Sequence, residues 1–278
     1  MSLRQIVEDC GGRLTKSDQR LIKVLLANPT ESAFLSSQEL ADKASVHPTT
    51  AVRLARKLGF DGYSELRLKL QSDLVGSSAP AERMQRRLER LGRGSLAAFV
   101  DSEIGALRSL PSQVAQADME KAAQLMIGAK QIFLFGLGHA EAMVLLMDMR
   151  LSRSGYRTRI VRQSPRRLAP ELMNVKEGDA VLLFAFSEIE KDAQFILEHA
   201  RKAGAKSIVI CDLIGPLLRP NPDVLLSASR GEVGDARSII VPLTICNTLI
   251  LLVSKMDGGE SIKHLATVTQ MRRTLESL

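Results

Sequence analysis

At 278 residues, 45% apolar and 25% charged, the chain has room for more than one hydrophobic core, and its composition excludes disordered and collagen-like classes. The formal net charge is +7; residues 1–95 hold 16 Lys and Arg against 11 Asp and Glu, whereas the rest hold 22 against 20. The excess at the front suits a polyanion partner, although a surplus of this size is equally compatible with ordinary solubility, while Cys10, Cys211 and Cys246 lie too far apart for a zinc site or disulfide framework and read as free thiols.

The opening, Met1 to Cys10, carries two acids and no apolar run, so it does not read as a signal peptide. Thr15-Lys-Ser-Asp18 matches a capping box and predicts the first helix, with an apolar stripe of Leu21, Ile22, Val24, Leu25 and Leu26 that ends at Asn28-Pro29. Ser36-Ser-Gln-Glu39 is a second capping box, opening a short helix through Ala41 and Ala44, followed by a turn at Ser45 to His47. A third helix starts at Pro48, whose fixed φ suits the first helical position, and stops at Gly59.

In that third helix Ala51, Leu54, Ala55 and Leu58 recur at i, i+3, i+4 and i+7 and define a buried stripe. Thr49, Arg53 and Arg56 point away from it, flanked by Thr50 and Lys57. Small polar residues that approach base edges, followed by cations for guanine or phosphate, are what a recognition helix needs. A solvated basic face is the plain alternative, and the short capped helix and tight turn in front favour a helix-turn-helix. Candidate DNA-binding residues are therefore Thr49, Thr50 and Arg53 for the bases and Arg56 and Lys57 for phosphate, with His47 at the helix start as a further DNA-binding candidate.

Leu14-Thr-Lys-Ser-Asp18, Asn28-Pro29, Ala33-Phe34-Leu35-Ser36, Glu39-Leu40-Ala41 and above all the run from Val52-Arg53-Leu54 through Lys57-Leu58-Gly59-Phe60-Asp61-Gly62-Tyr63 to Leu66 resemble the RpiR family of bacterial regulators. The likeness covers the whole first domain, expected at 1–75. It departs at His47-Pro48, where the family more often has Ser followed by an acid.

From Ser72 the composition turns to Ser, Gly, Ala and Pro and then to an arginine-rich segment, Glu82 to Arg90, so 76–95 reads as a linker. A helix from about Leu96 to Leu110 opens the second domain, 96–278. Five β-rich runs follow, Gln131–Phe135, Thr158–Val161, Val181–Phe186, Ser207–Cys211 and Val224–Ser227, separated by helix-length segments. That alternation predicts a three-layer α/β domain with a five-stranded parallel sheet. Ala142, Leu145, Leu146 and Met149 are expected to form the buried stripe of the helix after the first strand. The longest apolar stretch, Ile239 to Val253, is broken by Pro242, Thr244 and Asn247 and falls short of the roughly 20 residues of a spanning helix. A cytoplasmic protein with no membrane partner is the expectation.

Gly136-x-Gly138 lacks the third glycine of a dinucleotide site, so no cofactor is expected. The run Ala129 to Gly138, together with Glu198 to Ile210, is similar to the sugar isomerase (SIS) domain that RpiR-type regulators usually carry. The resemblance implies a phosphosugar held by a serine after Gly-x-Gly and by a Ser-x-Ser-Gly-x-Thr loop after the third strand. This chain has His139 and Ala140 at the first place, and Ala185-Phe-Ser-Glu-Ile-Glu190 at the second, keeping only Ser187. Glu188 and Glu190 would repel a phosphate there, although both also suit the first turn of the helix that follows. Three readings stand: a neutral or cationic ligand contacted by His139, Glu188 or Glu190; a phosphosugar in a shifted pose helped by Arg162, Arg166 or Arg167; or no ligand. The candidate effector site is Gly136, Gly138, His139, Ala140, Ser187, Glu188 and Glu190.

Together these features predict a DNA-binding transcription regulator whose operator affinity follows a small-molecule effector, working as a homodimer or homotetramer on paired half-sites. Two rivals are a sugar-phosphate isomerase-type enzyme with an attached DNA-binding domain, for which His139, His264, Glu188 and Glu190 are available acid/base groups, and a regulator whose second domain only oligomerises. With the phosphate loop altered, no catalytic residue is assigned.

Overall fold

The computed structural model describes residues 6–7, 14–27, 32–33, 35–75, 84–85, 96–162, 165–186, 191–212, 215, 218–230 and 238–277. The chain divides into two compact units, one built on Met1–Arg87 and a larger one on Leu88–Glu232 and Ala236–Leu278. The cut falls within the expected linker 76–95, which apart from 84–85 lies outside the described residues, as does Cys10.

The first unit contains α1 (Lys16–Ala27), α2 (Ser37–Lys43), α3 (Pro48–Lys57) and α4 (Tyr63–Val75). Both expected capping boxes form. Thr15 N–H donates to Asp18 Oδ2 (2.9 Å) and Asp18 N–H to Thr15 Oγ1 (3.3 Å), while Ser36 N–H donates to Glu39 Oε2 (2.7 Å) and Glu39 N–H to Ser36 Oγ (3.2 Å). The core joins Leu21, Ile22 and Leu25 of α1 to Leu40 and Ala41 of α2, the stripe Ala51, Leu54 and Ala55 of α3, and Tyr63, Leu66 and Leu70 of α4. Each leucine fully withdrawn from water here contributes roughly 2 kcal/mol. Leu26, expected in the α1 stripe, is instead exposed. It sits at the end of the helix, one residue past the face that Leu21 and Leu25 define. The fourth helix, for which the sequence offered no separate element, is anchored by the Tyr63 hydroxyl donating to the Leu35 carbonyl (3.0 Å).

The second unit opens with α5 (Leu96–Gln113) and α6 (Gln116–Ile127). Strands and helices then alternate: β1 (Ile132–Gly136), α7 (Glu141–Arg153), β2 (Thr158–Ile160), α8 (Pro165–Leu172), β3 (Ala180–Ala185), α9 (Lys191–Lys202), β4 (Lys206–Cys211), β5 (Val224–Ser227), α10 (Ile240–Met256) and α11 (Glu260–Glu276). The sheet order is β2-β1-β3-β4-β5, every pair parallel. Residues of α6, α7 and α10 form one cluster with alternate strand positions Ile132, Leu134, Leu182, Ile208, Ile210, Val224 and Leu226. Helix α9 lies against β3 and β4 on the other face through Ala193, Ile196, Leu197 and Ala200, and α8 packs on it. The expected three-layer α/β architecture with five parallel strands is thus present.

Helix α7 faces the sheet differently from expectation. It buries Met143, Val144, Met147 and Leu151, while Leu145 and Met149 are 60% and 52% exposed. Apolar residues surround most of this helix, so periodicity alone could not select the inward side. The apolar run at Ile239 to Val253 is the core helix α10, buried through Val241, Ile245, Cys246, Leu249 and Val253. Among the described residues no single helix is long and apolar enough to cross a membrane.

Candidate nucleic-acid interface and ligand edge

The two helices of the turn are set by matched C-terminal caps. At the end of α2 Ser45 takes φ +52°, and Val46 N–H bonds back to the Ala41 carbonyl (2.9 Å). At the end of α3 Gly59 takes φ +92°, with Phe60 N–H on the Ala55 carbonyl (3.0 Å) and Gly59 N–H on the Arg56 carbonyl (3.1 Å). Between these stops α3 is ten residues long, with Pro48 in its first turn and His47 as its N-cap.

Of the six candidate DNA-binding residues, His47, Thr49, Arg53, Arg56 and Lys57 are exposed, and Thr49, Arg53 and Arg56 share the outward face opposite Ala51, Leu54 and Ala55. His47 accepts the Thr49 amide at Nδ1 (3.4 Å) and touches the Thr49 hydroxyl (2.9 Å). Arg56 Nε donates to the Asp61 carbonyl (3.3 Å), which steadies the guanidinium at the end of the helix. One expectation needs correction. Thr50 is only 4% exposed, because its Cβ lies on the side of Ala51 and Leu54, so it packs inward rather than toward a groove. Lys57, itself exposed, pairs with Asp18 (2.5 Å) and so also ties α1 to α3. Burial would raise the Asp18 carboxyl, but hydrogen bonds from Lys57 and Thr15 outweigh it and hold the group below the ordinary 3.8.

In the second unit the order 2-1-3-4-5 places the topological switch between β1 and β3, and ligands of such sheets sit outside the carboxyl ends of the strands there. The structure separates the expected effector residues. Gly136 is buried at the end of β1, and a Cβ on it would meet Ala140 Cβ at 2.9 Å, Phe184 Cβ at 3.1 Å and Val144 Cγ2 at 3.1 Å. Ala140 is 2% exposed inside the same cluster. Both belong to the packing of α7 on the sheet, which corrects their assignment to a ligand. Gly138, at φ +57°, makes the turn into a short 3₁₀ segment and, with His139, is exposed at the carboxyl edge. Ser187, Glu188 and Glu190 lie outside the described residues. Arg162 is exposed, with its backbone N–H on Glu171 (2.8 Å).

The same edge holds a charged cluster that the sequence did not single out. Asp212 follows β4, Arg230 follows β5 and Phe186 follows β3. Arg230 Nη2 donates to Asp212 Oδ2 (3.2 Å), both side chains being buried, and its guanidinium lies 4.3 Å from the centre of the Phe186 ring. The segment that carries Arg230 is pinned to α5 twice. Ser229 N–H donates to Gln113 Oε1 (2.6 Å), and Ser238, whose N–H bonds the Arg230 carbonyl (2.7 Å), donates its hydroxyl to the buried carboxylate of Glu103. A lone acid and a lone base just past two apolar strands were the only signals for this pair.

A cavity of about 670 Å³ lies at the opposite edge, where Arg201, Lys206, Arg219 and Asp223 meet near the starts of β4 and β5. Lys206 is already paired with Asp223 there (3.2 Å), so this cavity is distinct from the carboxyl edge and lacks its cluster. Cys211 and Cys246 are buried free thiols whose burial pushes them above their ordinary range. Among the described residues no group of His, Cys, Asp and Glu is arranged to hold a metal ion.

Residues 1–77 match the helix-turn-helix domain of the rpiR family, and residues 125–252 match the SIS domain. The chain is 22% identical over 277 residues to an uncharacterised HTH-type transcriptional regulator of Caldanaerobacter subterraneus, a match covering 96% of this chain and 95% of that protein. It is 26% identical over 264 residues to the bifunctional protein glk of Paraburkholderia xenovorans, taking in 94% of this chain but only 41% of that relative's length. Among solved structures, the Vibrio vulnificus NanR protein complexed with ManNAc-6P superimposes with a TM-score of 0.59 over 97% of this chain and 98% of that one, at 17% identity, a likeness of fold.

Proposed function

The chain belongs to the rpiR family of helix-turn-helix transcription regulators with a SIS domain, and from that premise we propose that occupancy of its SIS domain by a carbohydrate-derived metabolite sets its affinity for operator DNA. The observation that carries this reading is the outward face of α3. Thr49, Arg53 and Arg56 stand on it while Ala51, Leu54 and Ala55 fix the opposite side, behind a short helix and a tight turn. Thr49 and Arg53 read bases, and Arg56 meets phosphate.

The effector sits at the carboxyl edge of the sheet, where Gly138 and His139 are exposed. The SIS match and the fold shared with NanR support a sugar or sugar phosphate as its class. The protein acts as a homodimer on paired half-sites; exposed Leu145, Met149 and Leu251 on α7 and α10, two helices that pack together, support a self-associating surface. Selection of genomic fragments by the purified protein, followed by a screen of hexoses, hexosamines and their 6-phosphates for release of the bound fragments, tests both halves. Selective capture with release by one member is expected. Uniform capture of all fragments contradicts the operator, and indifference to the whole panel contradicts the effector class.

A further inference from the structure

His47 and Thr49 form one hydrogen-bonded unit at the start of α3. The Thr49 backbone N–H approaches His47 Nδ1 (3.4 Å), and the Thr49 hydroxyl oxygen lies 2.9 Å from the same nitrogen. A backbone amide can only donate, so where His47 Nδ1 accepts it the neutral ring is the Nε2–H tautomer. In that tautomer the hydroxyl proton also points at Nδ1. Thr49 Oγ1 has given up its single donor and offers only lone pairs outward, from an exposed position on the face that carries Arg53 and Arg56.

This matters because the major groove presents donors only at the exocyclic amino groups of adenine and cytosine, whereas guanine and thymine present acceptors. A threonine hydroxyl that is free to rotate serves either kind of base. Resting on the reading that α3 enters a DNA groove, we propose that His47 polarises Thr49 into an obligate acceptor, so that Thr49 contacts the amino group of an adenine or cytosine in each half-site. Thr49 is the reader and His47 the positioning residue. The same His47 lone pair caps the helix, so the helix start and the polarity of the reader are set together.

The test uses the full chain. Selection from random duplexes with the wild type and with Thr49→Val, which keeps the amide contact to His47, identifies the base pair whose preference depends on the hydroxyl. Duplexes are then made in which the amino group of that pair is replaced by hydrogen, as purine for adenine or 2-pyrimidinone for cytosine, or in which N7 of the purine is removed. Loss of the amino group should weaken the wild type by about tenfold, within the usual range for one base contact, leave Thr49→Val unchanged, and weaken His47→Ala less, because its freed hydroxyl can turn to donate. Sensitivity to N7 but not to the amino group overturns the proposal, as does a Thr49→Val selection identical to that of the wild type. The Thr49→Val arm tests the contact and the His47→Ala arm its polarity, with His47→Gly as a second variant because glycine is tolerated at an N-cap; a loss on removing the amino group as large in these variants as in the wild type overturns the role of His47. A wild type that enriches no sequence overturns instead the regulator reading on which the proposal rests.

Discussion

Lys57 and Asp18 join the last turn of α3 to the first turn of α1, the ammonium of one resting on the buried carboxylate of the other. Asp18 also closes the capping box of α1, so one carboxylate serves both helices. Asp18→Ala should therefore lower the stability of the first unit by about 2 kcal/mol, the upper range for loss of a cap, and Lys57→Met by less than about 1 kcal/mol, since a partly exposed ion pair is weak. Thermal denaturation gives the ranking, and an equal effect of the two contradicts it. On DNA, Lys57→Met should leave the salt dependence of binding nearly unchanged, whereas Arg56→Ala should reduce its slope by about one.

Acid should unfold the protein through the same kind of group. The Asp257 carboxyl, which burial would raise, accepts from Ser261, from the Tyr156 hydroxyl (3.0 Å) and from Gly259 N–H (3.0 Å), and is held below 3.8 like that of Asp18. A folded-state value below the unfolded one gives stability that is complete above 3.8 and is lost as pH falls through the folded value. Asp257→Asn should be less stable than the wild type at neutral pH and show a shallower loss below pH 3.8. Parallel curves for the two proteins contradict the assignment.

Ser45 carries the strain of the turn, holding φ +52° where glycine costs nothing. Ser45→Gly should raise stability by about 0.5–1 kcal/mol without altering which DNA is selected. A loss of stability, measured by denaturant titration, contradicts that account.

Gly136 is needed for close packing. An added Cβ would come within 2.9 Å of Ala140 Cβ, and neither β1 nor α7 can yield without disturbing Phe184 and Val144. Gly136→Ala should cost about 1–3 kcal/mol as an overpacked core, whereas Gly138→Ala, with open space around it, suffers only from its positive φ. A more severe effect at Gly138 than at Gly136 contradicts the packing role.

Breaking the Arg230–Asp212 pair from one side should be severe, because a buried charge is left behind. Asp212→Asn or Arg230→Met should each cost about 3–5 kcal/mol, and the double variant Asp212→Leu with Arg230→Met clearly less than the sum. Additive losses in denaturant titrations contradict a coupled pair. With Ser238 and Glu103 linking this pair to α5, variants that keep their fold should also respond less to effector.

Much of this was legible because local chemistry and tertiary structure agree. Thr15 with Asp18 and Ser36 with Glu39 cap helices through contacts within four residues, so spacing alone reveals them. The five strands stood out as short apolar runs between helices. What stayed hidden depended on partners far away in sequence. Lys57 looks like one more cation on a basic helix until Asp18 arrives from 39 residues away. Thr50 is chemically as suitable for a groove as Thr49 and differs only in the side on which the core lies. Helix α7 is apolar nearly all round, and Arg230 meets Asp212 only once β4 and β5 lie side by side.

The most direct measurement is the ratio of affinities for a selected fragment and for unrelated competitor DNA, for the wild type and for Arg53→Ala, at fixed salt. With Arg53 on the exposed face of α3, the wild-type ratio should be large and the variant's should fall close to one while competitor binding persists. A ratio unchanged by the substitution would contradict the claim that this helix reads the operator.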